Sequence, residues 1–219
     1  VLFRSPRSET IHSWDFQPRG GFTFHGDDPH GLYMGFELEI EAFHLSEQEY
    51  DDCAEFAAAQ LTRENRGFLK HDGSLDYGFE IVTQPHTLDE YMRKFPFEFI
   101  RELRDTGFRS WNTDTCGFHV HVSRRAFGWD NTLRKQSGKT EAHMLRFTKL
   151  IYDNQQYVRR LAGRNSSQWA SFTDAGNLVR KIRNGYQDNG RYSAVNTANS
   201  NTLEVRVFRG TLQIGRAHV

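Results

Sequence analysis

Between Tyr33 and Phe43 the chain alternates strictly, with Phe36, Leu38 and Ile40 on one side and Glu37, Glu39 and Glu41 on the other. That is the period of a strand with one buried face. The same alternation predicts a strand at Phe118–Val122 and another at Thr202–Arg209, where Leu203, Val205 and Val207 oppose Glu204, Arg206 and Phe208. A shorter strand is expected over Arg191–Val195. Phe68-Leu69-Lys70, a turn at Asp72-Gly73-Ser74 and Phe79–Thr83, closed by Pro85, read as a hairpin.

The remaining apolar positions recur at helical spacing. Ser46-Glu47-Gln48-Glu49 is a capping box, followed by Tyr50, Cys53, Ala57 and Leu61, with Gly67 as the stop and a helix expected over 47–65. Thr87-Leu88-Asp89-Glu90 is a second capping box. It opens a helix over 88–106 whose inward stripe is Leu88, Tyr91, Met92, Phe95, Phe99 and Leu103, kinked at Pro96. Residues 139–162 predict the longest helix, with Met144, Phe147, Ile151, Val158 and Leu161 facing in, and 175–184 a short basic one. Residues 6–31, rich in Gly, Pro, His and Asp, read as a loop-like leading segment. Strands separated by helices that share one face imply an α+β fold with a largely antiparallel sheet.

Composition narrows the function. With 28 Lys plus Arg against 28 Asp plus Glu, no basic excess exists to release counterions from a nucleic acid. The chain has no apolar run of about 18 residues, so no membrane-spanning helix is expected. Two cysteines, Cys53 and Cys116, fit a reducing compartment, hence a cytoplasmic location. Val1–Ser5 and Ile214–Val219 resemble translated sequencing adapters. Residues 1–30 are therefore read as adapter plus leading segment, 31–213 as one catalytic domain truncated at its C-terminus, and 214–219 as an adapter-derived tail of a metagenomic fragment.

The unusual feature is what occupies the polar faces of the strands. Glu37, Glu39 and Glu41 project side by side about 7 Å apart, an unfavourable arrangement for a plain surface strand. Glu80 follows the hairpin turn, His119 and His121 share a face, and so do Glu204 and Arg206. If these carboxylates converge, their charge calls for divalent ions, and carboxylate-rich sites select Mg²⁺ or Mn²⁺. Mg²⁺ commonly bridges to substrate phosphates, which points to a nucleotide, and Arg206 would hold phosphate oxygens bidentately. A Walker-type glycine loop is absent, so the sheet and its metals would have to bind that nucleotide. Cys116 is read as a buried structural thiol rather than a nucleophile. Trp111, Trp129 and Trp169 are read as core or rim. Arg180, Lys181 and Arg183 are read as a solvated helix face.

Four motifs in order carry a resemblance. Gly35-Phe36-Glu37-Leu38-Glu39 is similar to the Gly-x-Glu-x-Glu strand of the glutamine synthetase and glutamate–cysteine ligase superfamily. Asp72-Gly73-Ser74 followed by Glu80-Ile81-Val82-Thr83-Gln84-Pro85 is similar to a stretch of its ligases. Gly117-Phe118-His119-Val120-His121-Val122-Ser123 resembles the Gly-x-His-x-His-x-Ser strand, and Thr202–Arg206 resembles the closing Glu-x-Arg strand. With Phe208-Arg209-Gly210-Thr211-Leu212, the set most resembles the amidoligase branch, carboxylate–amine ligases found often in bacterial and phage genomes.

The resemblance implies a glutamine synthetase-like curved sheet with helices on its outer face. It also implies an ATP-dependent ligase that forms an amide through an acyl phosphate, with carboxylate and amine substrates of small-molecule or peptide type. Residue by residue, Glu39 and Glu80 would hold one ion, and Glu37, His119 and Glu204 the other. His121 would lie near the transferring phosphoryl group, and Arg206 would steady transition-state charge. Arg164 and Arg191 resemble positions that touch phosphate or substrate. Glutamine synthetase has a further carboxylate shortly after the position of Glu80, which Val82–His86 lacks; Asp72, Asp76 or Glu41 are the substitutes at hand. The rival readings are a non-catalytic metal- or nucleotide-binding or phage structural module on the same fold, and a His-x-His metal-dependent hydrolase.

Overall fold

A computed structural model describes residues 10–128, 138–165, 167–173, 175–184 and 192–213. The strands are β1 (Ile11–His12), β2 (Met34–Ala42), β3 (Gly67–Lys70), β4 (Gly78–Thr83), β5 (Phe108–Arg109), β6 (Gly117–Ser123), β7 (Val195–Asn196) and β8 (Thr202–Arg209). They join one open sheet in the order β1-β3-β4-β2-β6-β8-β7, with β5 paired to the far end of β2. Among the described strand pairs only β1–β3 is parallel, so the sheet is mixed but mostly antiparallel. The helices are α1 (Glu47–Thr62), α2 (Leu88–Arg93), α3 (Glu98–Thr106), α4 (Gly138–Asp153), α5 (Gln155–Ala162) and α6 (Leu178–Asn184). The fold is α+β. No helix among the described residues is long and apolar enough to cross a membrane.

The apolar side of the β2 alternation is buried as its pattern demands. Leu38 and Ile40 pack with Leu69, Phe79 and Ile81 of the neighbouring strands against Leu61 of α1 and Phe99 and Leu103 of α3. A second core joins Leu203, Val205 and Val207 of β8 to Met144, Tyr152, Ala162, Leu178 and Ile182. Both cores are built on the strand face opposite Glu37, Glu39 and Glu204, so the helices that carry them pack on the face away from the carboxylates.

The cap signals explain where helices begin. Ser46 accepts from the Glu49 N–H while the Glu49 carboxylate accepts from the Ser46 N–H, so the first capping box is complete. The second is half made: Thr87 accepts from the Glu90 N–H, but the Glu90 carboxylate takes Arg66 and Lys94 instead.

Several expected boundaries change. α1 stops at Thr62, where Asn65 turns left-handed (φ 52°), so Gly67 opens β3 rather than ending the helix. The 88–106 stripe divides into two helices around Pro96. A stripe drawn along one axis loses its phase at such a break, and Leu88 and Met92 lie 60% and 76% exposed. The 139–162 pattern divides at Asn154, and the same loss of phase across a break turns Leu161 outward and Ala162 inward. Between Phe118 and Val120 the β6–β8 register slips, so Arg206 and Val207 both stand opposite His119. This β-bulge moves Phe208 from the expected polar face onto the apolar one, against the second core. The leading segment is mostly irregular, yet it supplies β1, with Ile11 in the core. The final short strand is Val195–Asn196; Arg191, Trp129, Val1–Ser5 and the 214–219 tail lie outside the described residues.

Candidate active site

The strand order places the polar faces of β4, β2, β6 and β8 side by side. Glu80 stands opposite Glu39, His119 opposite Glu37, and His121 opposite Glu204, each pair in register across neighbouring strands. In an antiparallel pair, residues in register project to the same side. Glu37, Glu39, Glu80, His119, His121, Glu204 and Arg206 therefore line a single cleft of about 710 Å³, together with Lys70, Asp72 and Arg164.

The contacts are close. The His119 Nδ1 lies 3.4 Å from Glu37 and 3.6 Å from Glu204, and its Nε2 lies 4.0 Å from Glu39. The His121 Nε2 is 3.2 Å from Glu37, and its Nδ1 is 3.0 Å from the Thr202 hydroxyl. Arg206 donates from Nη1 to Glu204, and Asn196 of β7 donates to the other oxygen of that carboxylate at 2.7 Å. Glu39 accepts the Gly117 N–H.

Three triplets have donor atoms within 4.8 Å of one another: Glu37–Glu80–His119, Glu37–His121–Glu204 and Glu39–Asp72–Glu80. Glu41 belongs to none of them. Its buried carboxylate accepts from the Asp76 N–H and the Thr115 hydroxyl, and so braces the β3–β4 loop.

Burial and charge set the electrostatics. Glu39, Glu80 and Glu204 are each only 5% exposed, and holding ionised carboxylates at such depth costs several kcal/mol apiece unless they are paired. Burial would raise the Glu37 carboxyl, but His121 and His119 outweigh it and hold the group well below the usual carboxylate range. Glu80 goes the other way: burial, then the charges of Glu37 and Glu39, push it well above that range. Burial also raises Glu39, more than His119 offsets. Burial opposes a charged His121, yet the Glu37 carboxylate wins and lifts it to about 9. The two middle strands thus carry one firmly ionised carboxylate beside two reluctant ones.

Gly117 is required by this crowding. A Cβ there would meet Arg164 Nη1 at 2.6 Å, His119 Nε2 at 3.0 Å and Glu39 Oε2 at 3.3 Å. The atoms are side-chain tips, so a Gly117→Ala chain should fold with little loss of stability. If the carboxylate triplets hold a divalent ion, the displaced His119 and Arg164 should nonetheless weaken Mn²⁺ binding, by about tenfold, in a calorimetric titration. Wild-type affinity would show that the tips relax without consequence.

Beyond the cleft, Glu37, Lys70 and His121 also border an apolar hollow of about 620 Å³ lined by Phe22, Phe24, Tyr33 and Phe68. Cys116 is a buried thiol, pushed up to about 12 by burial, which suits a structural rather than a nucleophilic role. Trp169 stands at the cleft rim, its carbonyl 3.5 Å from Arg206 Nε, whereas Trp111 lies elsewhere beneath the Arg209 guanidinium. Lys181 and Arg183 turn away from the cleft: Lys181 donates to Ser193 and Tyr152, and Arg183 pairs with Glu141.

Sequence reasoning missed Lys70 and Asn196. Lys70 lies opposite Glu80 in the hairpin, a register hidden by the seven-residue loop 71–77 between the strands. Asn196 lies opposite Glu204 on a strand too short to show any period.

A family model described as "putative amidoligase enzyme" matches residues 33–218, a stretch that takes in every strand contributing to the cleft. No curated protein matches the chain. The match covers most of the sequence, and the chain belongs to this amidoligase family.

Proposed function

We propose that the protein is an ATP-dependent carboxylate–amine ligase, forming an amide through an acyl phosphate at a two-Mg²⁺ site on a glutamine synthetase-like sheet. The observation that carries the reading is the convergence of carboxylates from β2, β4 and β8 and two histidines from β6 on one sheet face, with Arg206 among them. Family membership supports an amide-forming ligase.

The donor set fits hard divalent ions. Carboxylate oxygens dominate it, imidazole is the minority, and thiolate takes no part, because Cys116 forms none of the triplets. Glu39 and Glu80 would hold one ion, and Glu37, His119 and Glu204 the other. When bound, the ions would neutralise and polarise phosphate and carboxylate oxygens.

The protein's own groups do the rest. His121, 3.2 Å from Glu37 at the same cleft, would lie where phosphoryl oxygens pass the second ion and could donate a hydrogen bond to them. Arg206 sits beside Glu204 with its planar fork facing the cleft, suited to charge spread over the transferring group. Arg164, lining the same cleft, adds a further cation near Glu39. The adjoining hollow, with Phe24, Tyr33 and Phe68, would take the apolar base, leading the phosphates past Glu37 and His121. Both substrates would meet in the cleft.

The test is ADP release by the purified chain with Mg²⁺, ATP and a panel of acid–amine pairs. Turnover should require both substrates and cease in EDTA. Glu204→Gln removes one charge from the second ion's ligands, so Mg²⁺–ATP affinity should fall and added Mg²⁺ should partly restore it. Product formed in EDTA would remove the two-Mg²⁺ reading, and turnover without nucleotide would remove the ligase reading and favour the metal-dependent hydrolase.

A further inference from the structure

Counting by two along the strands leads from the cleft into the adjoining hollow. Gly35 shares a face with Glu37, Val82 with Glu80, and Phe68 with Lys70, and all three line the hollow. Phe68 stands opposite Val82, and Val82 opposite Glu37, so the floor of the hollow is the carboxylate face continued into uncharged residues. Glu37, Lys70, His121 and Asn199 line both cavities and mark the passage between them.

Another part of the lining comes from the leading segment. Phe16, Phe22 and Phe24 border the hollow, and the Phe16 ring packs edge-on against Phe68 at 5.1 Å. These residues precede the stretch 33–218 matched by the amidoligase model, so family membership does not account for them.

The segment is latched to the end of β4. Thr23 donates its N–H to the Gln84 side-chain oxygen at 3.0 Å, and the Gln84 amide donates to Asn65 Oδ1 at 3.3 Å. Asn65 closes the ring by donating to the Thr23 hydroxyl at 2.7 Å. Next along the chain, the His25 N–H donates to the Pro85 carbonyl and the Thr87 N–H to the His25 carbonyl. The His25 ring stacks on the buried His86 ring at 4.4 Å. Gly26 then passes so near α2 that a Cβ would meet Thr87 Oγ1 at 2.4 Å.

A segment that only covered the sheet would bury its rings. Here the backbone is pinned while Phe22 and Phe24 stay 42% and 45% exposed at the hollow. Tyr33, edge-on to Phe24 at 4.9 Å, holds that ring in place. A preset ring beside an apolar floor suits a flat aromatic group, because stacking needs neither charge nor a fixed hydrogen-bond pattern.

We propose that residues 16–26 are the base-holding wall of the nucleotide site, with Phe24 as the ring that stacks on the base and Gln84 as the residue that positions the wall. This rests on the ATP-dependent reading above. It makes a segment outside the family match a determinant of which phosphate compound the cleft accepts.

The full chain is titrated by calorimetry with ATP and with inorganic tripolyphosphate, both in Mg²⁺. Tripolyphosphate offers the phosphates without the base, so the wild type should bind ATP about tenfold more tightly or better. Phe24→Ala should erase most of that preference while tripolyphosphate affinity stays unchanged, and Phe24→Trp should keep it. Gln84 does not line the hollow, so Gln84→Leu breaks the latch from outside and should lose the same preference.

Circular dichroism separates lost preference from lost fold, and if Gln84→Leu does not fold, the two Phe24 variants decide. A folded Phe24→Ala or Gln84→Leu chain that keeps the full preference would overturn the assignment of the leading segment and leave the ATP-dependent reading standing. So would a wild type that binds ATP and tripolyphosphate equally. A wild type that binds neither would overturn the ATP-dependent reading itself.

Discussion

An Arg206→Lys variant is expected to bind nucleotide as the wild type does and to form ADP about 10²–10³-fold more slowly, a loss of roughly 3–4 kcal/mol of transition-state stabilisation. The contacts of Arg206 give the reason. Its Nη1 pairs with Glu204 while Nε faces the Trp169 carbonyl at 3.5 Å, so the guanidinium plane is held from two sides. Lysine keeps the charge and can replace one of these contacts, but it has no planar fork with which to meet spreading phosphoryl charge. The loss should fall on kcat, with KM for ATP nearly unchanged, because an interaction made mainly in the transition state does not alter ground-state binding. An Arg206→Lys chain as fast as wild type, or one slowed only through KM, would take Arg206 out of the catalytic account.

The second large effect concerns stability. Phe79→Ala should lower unfolding free energy by about 3–5 kcal/mol, read as a lower urea midpoint at unchanged m-value. Phe79 is fully buried on β4. Its ring lies 5.2 Å from that of Phe108 and 5.8 Å from that of Tyr50, so removing it opens a cavity between sheet and helices. The same truncation at Met92, 76% exposed on α2, should cost no more than about 0.5 kcal/mol. Equal costs at the two positions would contradict the placement of the core. Because Phe79 precedes Glu80, the substitution also tests how far the cleft depends on the packing beneath it.

The candidate site was unusually legible because it is built on strands. On a strand, which residues share a face follows from counting by two, and Glu37 with Glu39, His119 with His121, and Glu204 with Arg206 are such pairs. Helix starts were legible for a similar reason: Ser46 and Glu49 satisfy each other's backbone within one turn. Less legible were helix interiors. The inward stripe of Leu88 and Met92 was wrong because Pro96 breaks the axis, and a hydrophobic pattern does not report the angle at which the next helix sets off. Phe208 was misplaced because a single bulge inverts every face beyond it.

What the chain determines locally, then, is the facing of each strand and the first turn of each capped helix, since these depend on contacts a few residues apart. Only tertiary structure decides which strands become neighbours. Nothing near Glu39 in sequence specifies that Glu80 will stand opposite it, or that Lys70 will in turn stand opposite Glu80. Those registers come from burying Leu38, Ile40, Leu69, Phe79 and Ile81 in one shared core, where a slip of one residue would turn every apolar side chain to the open face. The carboxylates are carried to a common cleft by that packing. Their mutual repulsion is the cost of an arrangement that the hydrophobic face of the same strands holds in place.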